Sequence, residues 1–485
     1  MLYWLLRWIS HVALRWYYRD IRVVGAERIP RTGAVIFAVN HPNALVDALV
    51  AGCAVPRRLR MTGKATLFEN PLLGALLSAA GVVPLRRVSD ERTRTAGGPL
   101  HGTAAPPARN AESFRALGDV LESGGAMLIF PEGKSHSEPS IAPLKTGVAR
   151  IAIEARDLRG VRDLRIVPLG LVFERKEEPR TRVLVQVGEP IPVGSFRSDF
   201  PVVSEVEALT ARVERGLRDV TLNFDSPAHA ERVLAVADVI SAVADERRTL
   251  GEAEPAFTTV LDTVRRIEAA RVSMEARPVN APAGARVDAF LARLDKFQLE
   301  LHELHIVVSD VRIDVDVKSG ARFALREGAI LAIVGPAALW GRINHVVPMR
   351  AARVIALFGA TDRDQPAMRT LVAGLVLVLV AYAVQTALVA QFAGAWAAAA
   401  YLMTLPIFAS WDLRLADRTR SALARVRAYF LFRRDTGLRA RLRAEGEWLR
   451  SEAAMLEDVL TGEEGEKDRP DPSATPRAAL RSADP

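Results

Sequence analysis

The chain has 485 residues, 49% of them hydrophobic and 25% charged, enough apolar chain for two or three domains and too much for a mostly disordered one. Cys53 is the single cysteine, which excludes an internally bridged disulfide scaffold. The 65 basic residues against 57 acidic ones leave a formal charge of +8, and that excess favours phosphate-bearing partners: nucleic acid, anionic lipid or a phosphorylated metabolite.

Residues 1–20 open as a helix with Trp4, Trp8 and Val12 along one face and Arg7, His11 and Arg15 in a separate stripe. That pattern suits either a helix lying in the headgroup region or an amphipathic helix packed on a domain, and the three tryptophans, Trp4, Trp8 and Trp16, favour the interface. The arginines also interrupt any signal-peptide core. Residues 21–200 form an α/β unit. Short β-branched runs recur at 21–24, 34–40, 126–130, 165–173 and 182–187, separated by helical stretches. Asn70 and Pro71 open a helix that Gly81 closes, and its apolar body, 72–80, is either deeply buried or faces lipid. Residues 89–109, rich in Gly, Pro, Thr and charge, are a loop. Residues 201–327 are helical in pattern, notably 207–218 and 230–248, with a linker at 277–284 around Pro278 and Pro282.

Residues 328–460 are membrane-associated. No charged residue occurs from Thr370 to Trp411. A bilayer core of roughly 30 Å needs about 20 helical residues, so the run accommodates two spans, 371–390 and 392–410, turning near Gln391 and Gly394 and interrupted at Pro406. Arginines on both flanks, among them Arg350, Arg353, Arg414 and Arg418, and none in the turn, place both ends on the cytoplasmic side. The apolar stretch 328–341 contains Pro336 and is too short to span comfortably, which favours a re-entrant or interfacial segment. A basic helix continues to 460, and 461–485 form a disordered tail.

Several apparent motifs carry no chemistry. Gly133-Lys134-Ser135 lacks the earlier glycine of a phosphate loop, since Leu128 stands there. His302 and His305 lack the i, i+4 spacing of a zinc pair. The basic residues have no aromatic-basic module around them, which disfavours nucleic acid.

Four blocks remain inside the α/β unit: Asn40-His41-Pro42-Asn43-Ala44-Leu45-Val46-Asp47, Gly63-Lys64-Ala65-Thr66-Leu67-Phe68, Gly81-Val82-Val83-Pro84-Leu85-Arg86-Arg87, and Phe130-Pro131-Glu132-Gly133-Lys134-Ser135-His136-Ser137, the last continued by Pro143-Leu144-Lys145-Thr146-Gly147. Pro42 suits the first turn of a helix and leaves His41 on the loop at a strand's carboxyl end, where α/β sheets place ligands. His41 and Asp47 meet only if His41 stands outside that helix, because positions six apart on one helix diverge. Such a pair lets a histidine take a proton while the carboxylate fixes its tautomer.

In this order the blocks resemble the four motifs of the glycerolipid acyltransferases, which include glycerol-3-phosphate and 1-acylglycerol-3-phosphate acyltransferases. The resemblance covers roughly residues 20–195. It implies an acyltransferase domain with a central mixed sheet flanked by helices, joined to a helical C-terminal half with a transmembrane hairpin. It also implies a cytoplasmic-membrane enzyme, its catalytic domain on the cytoplasmic face, moving an acyl group from acyl-CoA or acyl carrier protein to glycerol 3-phosphate or a lysophospholipid in phospholipid synthesis, without metal or cofactor. His41 and Asp47 match the catalytic pair. Asn43, Lys64, Arg86, Arg87, Glu132, Gly133, Lys134, His136 and Lys145 are the substrate-binding candidates. Two departures matter: five residues separate His41 from Asp47 where the family usually has four, and Lys134-Ser135 replaces Thr-Arg after the Glu-Gly pair. Both are similar to a subgroup that includes fungal-type glycerol-3-phosphate/dihydroxyacetone-phosphate acyltransferases. The alternatives are acyl transfer to another lipid acceptor, or a non-catalytic lipid-binding membrane protein, for which the extra residue between His41 and Asp47 would speak.

Overall fold

The computed structural model describes residues 2–85, 111–197, 204–244, 257–275, 281–313, 315–358 and 365–467. The expected loop at 89–109, Arg86, Arg87 and the last eighteen residues of the tail lie outside them. The chain divides into two units, residues 1–227 with 331–418, and residues 228–330 with 419–485.

The first unit is built on an eight-stranded sheet. Its strands are β1 (Asp20–Val24), β2 (Val35–Val39), β3 (Leu59–Lys64), β4 (Val83–Leu85), β5 (Ala126–Ile129), β6 (Arg165–Phe173), β7 (Arg182–Val187) and β8 (Ile191–Pro192). The order is β1-β7-β6-β2-β5-β3-β4, with β8 paired to β6. Strands β6, β2, β5, β3 and β4 run parallel, while β7 and β8 are antiparallel to β6, so the sheet is mixed. Strand β2 reads Val-Ile-Phe-Ala-Val and is buried on both faces, as a central parallel strand requires. Its alternate residues feed two cores: Val35, Phe37 and Val39 pack with helices α1 (Leu2–Tyr17) and α2 (Leu45–Ala54), and Ile36 and Ala38 pack against the opposite layer. That layer is α4 (Ala111–Glu122), α5 (Gly147–Asp157) and α6 (Glu205–Val220), numbered after the short α3 (Pro71–Ala80). Ser204 and Glu207 close a reciprocal capping box on α6. Helix α6 thus belongs to the sheet's unit, although its position beyond residue 200 suggested the following region.

Helix α6 lies so close to β6 that a β-carbon on Gly170 would sit 2.0 Å from the carbonyl oxygen of Val220. Gly170→Ala is therefore expected to destabilise the unit by about 3 kcal/mol, at the upper end of overpacking costs, read as a lowered Tm of the detergent-solubilised chain.

Helix α1 packs on the domain and presents aromatics outward. Arg7 donates to the carbonyls of Cys53 and Val55 at the C-terminal end of α2, at 3.1 and 2.7 Å, where a cation suits the helix dipole. Leu14 and Tyr17 are buried, while Trp4 and Trp8 are 54% and 65% exposed. Helix α3 lies at the surface, with Ala75, Ser78 and Ala79 exposed, rather than deep in the core.

Residues 331–357 and 365–418 of this unit are helical. Helix α10 (Val317–Leu357) runs unbroken through Pro336 and Pro348, so 328–341 is one part of a 41-residue helix and not a separate re-entrant segment. Helix α11 (Gln365–Arg434) is two helices joined at Gly394, whose φ of 84° and ψ of 170° reverse the chain. The reversal makes a hairpin: Tyr401 on the second arm hydrogen-bonds Gln385 on the first at 3.3 Å, and Asn344 of α10 accepts from the same Tyr401 hydroxyl at 2.6 Å. Pro406 sits within the second arm without ending it. Both α10 and α11 are long and apolar enough to cross a membrane, and residues such as Ile333, Val347, Val376 and Phe392 are exposed on them.

The second unit is helical among its described residues. Helices α7 (Pro227–Ala244), α8 (Phe257–Glu275), α9 (Ala281–Glu303) and α12 (Thr436–Lys467) join the start of α10 and the end of α11 around Phe290, Phe297, Leu301, Phe432 and Leu449. Helix α9 takes in Pro282 and Gly284, expected in a linker, and α12 carries seven residues past 460.

Candidate active site

The turn between β2 and α2 explains how residues six apart meet. The helix begins at Leu45, three residues later than Pro42 suggested. Ala44 before it adopts φ 50° and ψ −130°, a conformation costing about 1–3 kcal/mol for a residue with a β-carbon. Its N–H donates to the Ser135 hydroxyl at 3.0 Å, which holds the kink. His41 therefore stands on the loop while Asp47 lies in the first turn of α2, and the His41 Nδ1–Asp47 Oδ2 distance is 2.8 Å. The same carboxylate oxygen accepts the Asn43 N–H at 2.7 Å.

An ionised carboxylate accepts only, so Nδ1 carries the proton of a neutral His41 and Nε2 keeps the lone pair. The Asp47 side chain is fully buried and that of His41 is 10% exposed. Burial pushes the Asp47 carboxyl above its ordinary range, opposed by the hydrogen bond from His41, the imidazole's charge, the Asn43 N–H and the nearby Lys176 cation. Phe130 stacks on the imidazole, its ring centroid 3.9 Å away and the planes 12° apart, which fixes the ring's plane and covers one face.

Glu132 braces this turn from β5. Oε1 accepts the backbone N–H of His41 at 2.7 Å, and Oε2 accepts the Ala142 N–H at 2.7 Å and the Nε2–H of His136. The His136 N–H in turn reaches the His41 carbonyl at 3.2 Å. Gly133, at φ 76°, supplies the left-handed residue of the turn. Glu132→Gln would set an amide N–H₂ against one of these donors whichever way the side chain is turned. Expected are a stability loss of about 1–3 kcal/mol, read as a lowered Tm, and a reduced kcat as His41 loses its backbone anchor.

The dyad can accept a proton at Nε2 and stabilise the imidazolium that results. It sits at the carboxyl edge of the parallel strands, with β5 next to β2 and β3 and β4 beyond it. A sequence comparison decides what kind of domain holds it: residues 20–172 match the family model described as acyltransferase. Residues 20–172 are an acyltransferase domain.

Relatives agree in kind. The chain is 36% identical over 118 residues to glycerol-3-phosphate O-acyltransferase 2 of Saccharomyces cerevisiae, covering 24% of this chain and 16% of that protein. It is 23% identical over 299 residues to glycerol-3-phosphate O-acyltransferase 1 of the same yeast, covering 46% and 39%. It is 22% identical over 145 residues to a chloroplastic 1-acyl-sn-glycerol-3-phosphate acyltransferase of Brassica napus, covering 30% and 36%. The chain thus spans less than half the length of each of these relatives.

Within the acyltransferase domain the other candidate residues fall into two sets. Asn43 and Glu132 are buried and committed to internal bonds: the Asn43 amide donates to the Tyr18 hydroxyl at 3.3 Å and the Lys176 carbonyl at 3.2 Å. Lys134 and Lys145 are exposed on the loop after β5, and the Lys145 N–H bonds the Pro131 carbonyl at 2.7 Å. Lys64 ends β3, two strands from β2 and so about 10 Å across the sheet. Arg86 and Arg87 follow β4 and lie outside the described residues. Sequence reasoning missed Tyr18, Lys176 and Ala142. Phe130 stood inside a recognised block, and its aromatic ring next to the Pro-Glu-Gly turn was the available signal. Among the described residues no cluster of three or more His, Cys, Asp or Glu side chains could hold a metal ion.

Proposed function

We propose that the protein is a membrane-bound O-acyltransferase moving a fatty acyl group from an acyl thioester, on coenzyme A or acyl carrier protein, to a hydroxyl of glycerol 3-phosphate or lysophosphatidate. The observation that carries this reading is the 2.8 Å His41–Asp47 pair at the sheet's carboxyl edge, inside an acyltransferase domain. His41 Nε2 removes the acceptor's proton as its oxygen attacks the thioester carbonyl. Asp47 holds the imidazolium. The tetrahedral intermediate collapses by breaking the C–S bond, and the proton on His41 passes to the departing thiolate. The close approach of His41 and Asp47 across five intervening residues removes the spacing as support for a non-catalytic lipid-binding protein.

Lys64 at the end of β3, Arg86 and Arg87, which follow β4 in the sequence, and Lys134 and Lys145 from the loop after β5 are the groups to hold the acceptor phosphate, where Arg offers a fork and Lys a point charge; His136, expected among them, gives its Nε2–H to Glu132 and belongs to the brace instead. The apolar helices α10 and α11 anchor the chain in the cytoplasmic membrane with the catalytic domain on the cytoplasmic face, in keeping with arginines on both flanks of the hairpin. An acyl chain drawn from the bilayer gains about 0.8 kcal/mol per buried methylene.

The decisive experiment is transfer of a radiolabelled acyl group by membranes containing the full chain, with glycerol 3-phosphate and lysophosphatidate compared as acceptors. Product with either, lost in His41→Ala, supports the reading; thioester unconsumed with both overturns it. In the active system, Lys64→Ala and Arg87→Ala are expected to raise the acceptor KM roughly tenfold each, the loss of one charge-assisted contact, with kcat little changed. An unmoved KM in both removes them from the phosphate site.

A further inference from the structure

Residues 174–181, the loop joining β6 to β7, touch both the dyad's turn and the apolar helices. On one side the contact is reciprocal: Lys176 Nζ donates to the Pro42 carbonyl at 3.3 Å, and the Asn43 side-chain amide donates to the Lys176 carbonyl at 3.2 Å. Pro42 and Asn43 lie between His41 and Asp47, and the Asn43 N–H is one of the two bonds that orient the carboxylate. On the other side, the Arg180 guanidinium pairs with Asp417, which follows the uncharged run of the hairpin, and also donates to the carbonyls of Arg15, Trp16 and Tyr18 at the end of α1. The Glu177 carbonyl accepts from Arg353 of α10 at 3.4 Å. Arg180 holds a left-handed backbone, φ 64°, a conformation uncommon for a side chain of its size.

We propose that this loop positions the His41–Asp47 dyad through Lys176, and that α10 and α11 set the loop through Arg353 and Asp417. Lys176 is a positioning residue: it clips the turn that carries the dyad. The consequence is that the dyad reaches its working geometry only when the apolar helices are docked, which ties chemistry to seating in the membrane. The inference rests on the acyl-transfer reading of the dyad. Among the described residues, the charged and titratable groups facing the dyad come from four places: Tyr18 after α1, Glu132 and His136 after β5, Lys176 in the loop, and the pair itself. Lys176 is a cation close to Asp47, so its removal makes an added proton on the pair easier to hold and moves the acid limb of kcat to higher pH.

The test uses the full chain reconstituted in phosphatidylcholine–phosphatidylglycerol vesicles, with glycerol 3-phosphate as acceptor. Lys176→Met is expected to lower kcat about tenfold to a hundredfold, the scale of a small misplacement, with the acceptor KM unmoved and the acid limb shifted up. Lys176→Arg restores both. Asp417→Asn lowers kcat, and the double variant Lys176→Met/Asp417→Asn falls no further than the worse single one, as for residues acting along one route. Wild-type kcat in Lys176→Met, or an arginine variant as impaired as the methionine one, overturns the clip. Multiplicative losses in the double variant overturn the link to α11. Should Lys176→Met not be recovered folded, Asp417→Asn carries the test alone: an unchanged kcat overturns the proposal, and a lowered kcat at constant KM supports it. The pH midpoint of His41 modification by diethyl pyrocarbonate, followed on the isolated peptide, separates this inference from the parent reading. If the wild-type chain transfers no acyl group, the functional reading fails, while a midpoint shifted by Lys176→Met and restored by Lys176→Arg still supports the clip, and an unshifted one overturns it.

Discussion

His41→Ala is expected to lower kcat by about 10²- to 10⁴-fold, the range for loss of a positioned general base, while the chain still inserts into membranes. Removal of the imidazole leaves the brace intact. Glu132 binds the backbone N–H of His41 and not its ring, so alanine keeps that bond and the bond from His136 to the His41 carbonyl. What disappears is the basic nitrogen and the ring stacked on Phe130. Initial rates of acyl transfer at saturating donor and acceptor, alongside thermal unfolding, check this. A variant with native rates would show that some other group accepts the proton.

The second large effect separates activity from stability. Asp47→Asn should lower kcat by about 10²- to 10⁴-fold, because the amide neither enforces the Nδ1 tautomer nor stabilises an imidazolium. Its effect on stability has the opposite sign. Burial raises the native carboxyl above its ordinary value of 3.8, so between 3.8 and the native pKa the folded chain binds more protons than the unfolded one. Stability contributed by this group is then highest below that window and declines as pH rises through it, leaving a net cost at neutral pH. Asparagine has the same shape and no charge to desolvate. The variant should therefore unfold at neutral pH at a temperature no lower than the native chain, and its Tm advantage should shrink on acidification. A Tm well below native at neutral pH would show that the ionised carboxylate stabilises the fold.

Much of this arrangement was legible because it is local. The pair His41–Asp47 and the Pro131-Glu132-Gly133 turn each lie within one short stretch, and strand–loop–helix grammar is enough to set them at a sheet edge. The strands with continuous apolar runs, β2, β5 and β6, were equally plain. Strand β3 escaped because Leu-Arg-Met-Thr-Gly-Lys alternates weakly and contains a glycine, and β4 because three residues with a central proline fall below any periodic signal. Its pairing with β3 comes from the sheet, not from its own residues. The stretch 328–341 looked too short to span because its charged flanks hide how far the helix extends, yet α10 continues on both sides and through Pro336, as prolines do in long apolar helices where neighbouring groups satisfy the freed carbonyl. Lys176 was out of reach altogether. It contacts the carbonyl of Pro42 from 134 positions away, and nothing about an isolated lysine in a charged loop announces such a partner.

The backward bend at Ala44 also bears on how kindred proteins are found. With it, five intervening residues still leave the two polar members of the motif in contact, so the count of positions between them is a poor ruler for their separation. A search pattern that insists on a fixed count discards chains like this one, whereas one that tolerates a single insertion and asks for a serine two places beyond the Glu-Gly pair would retain them.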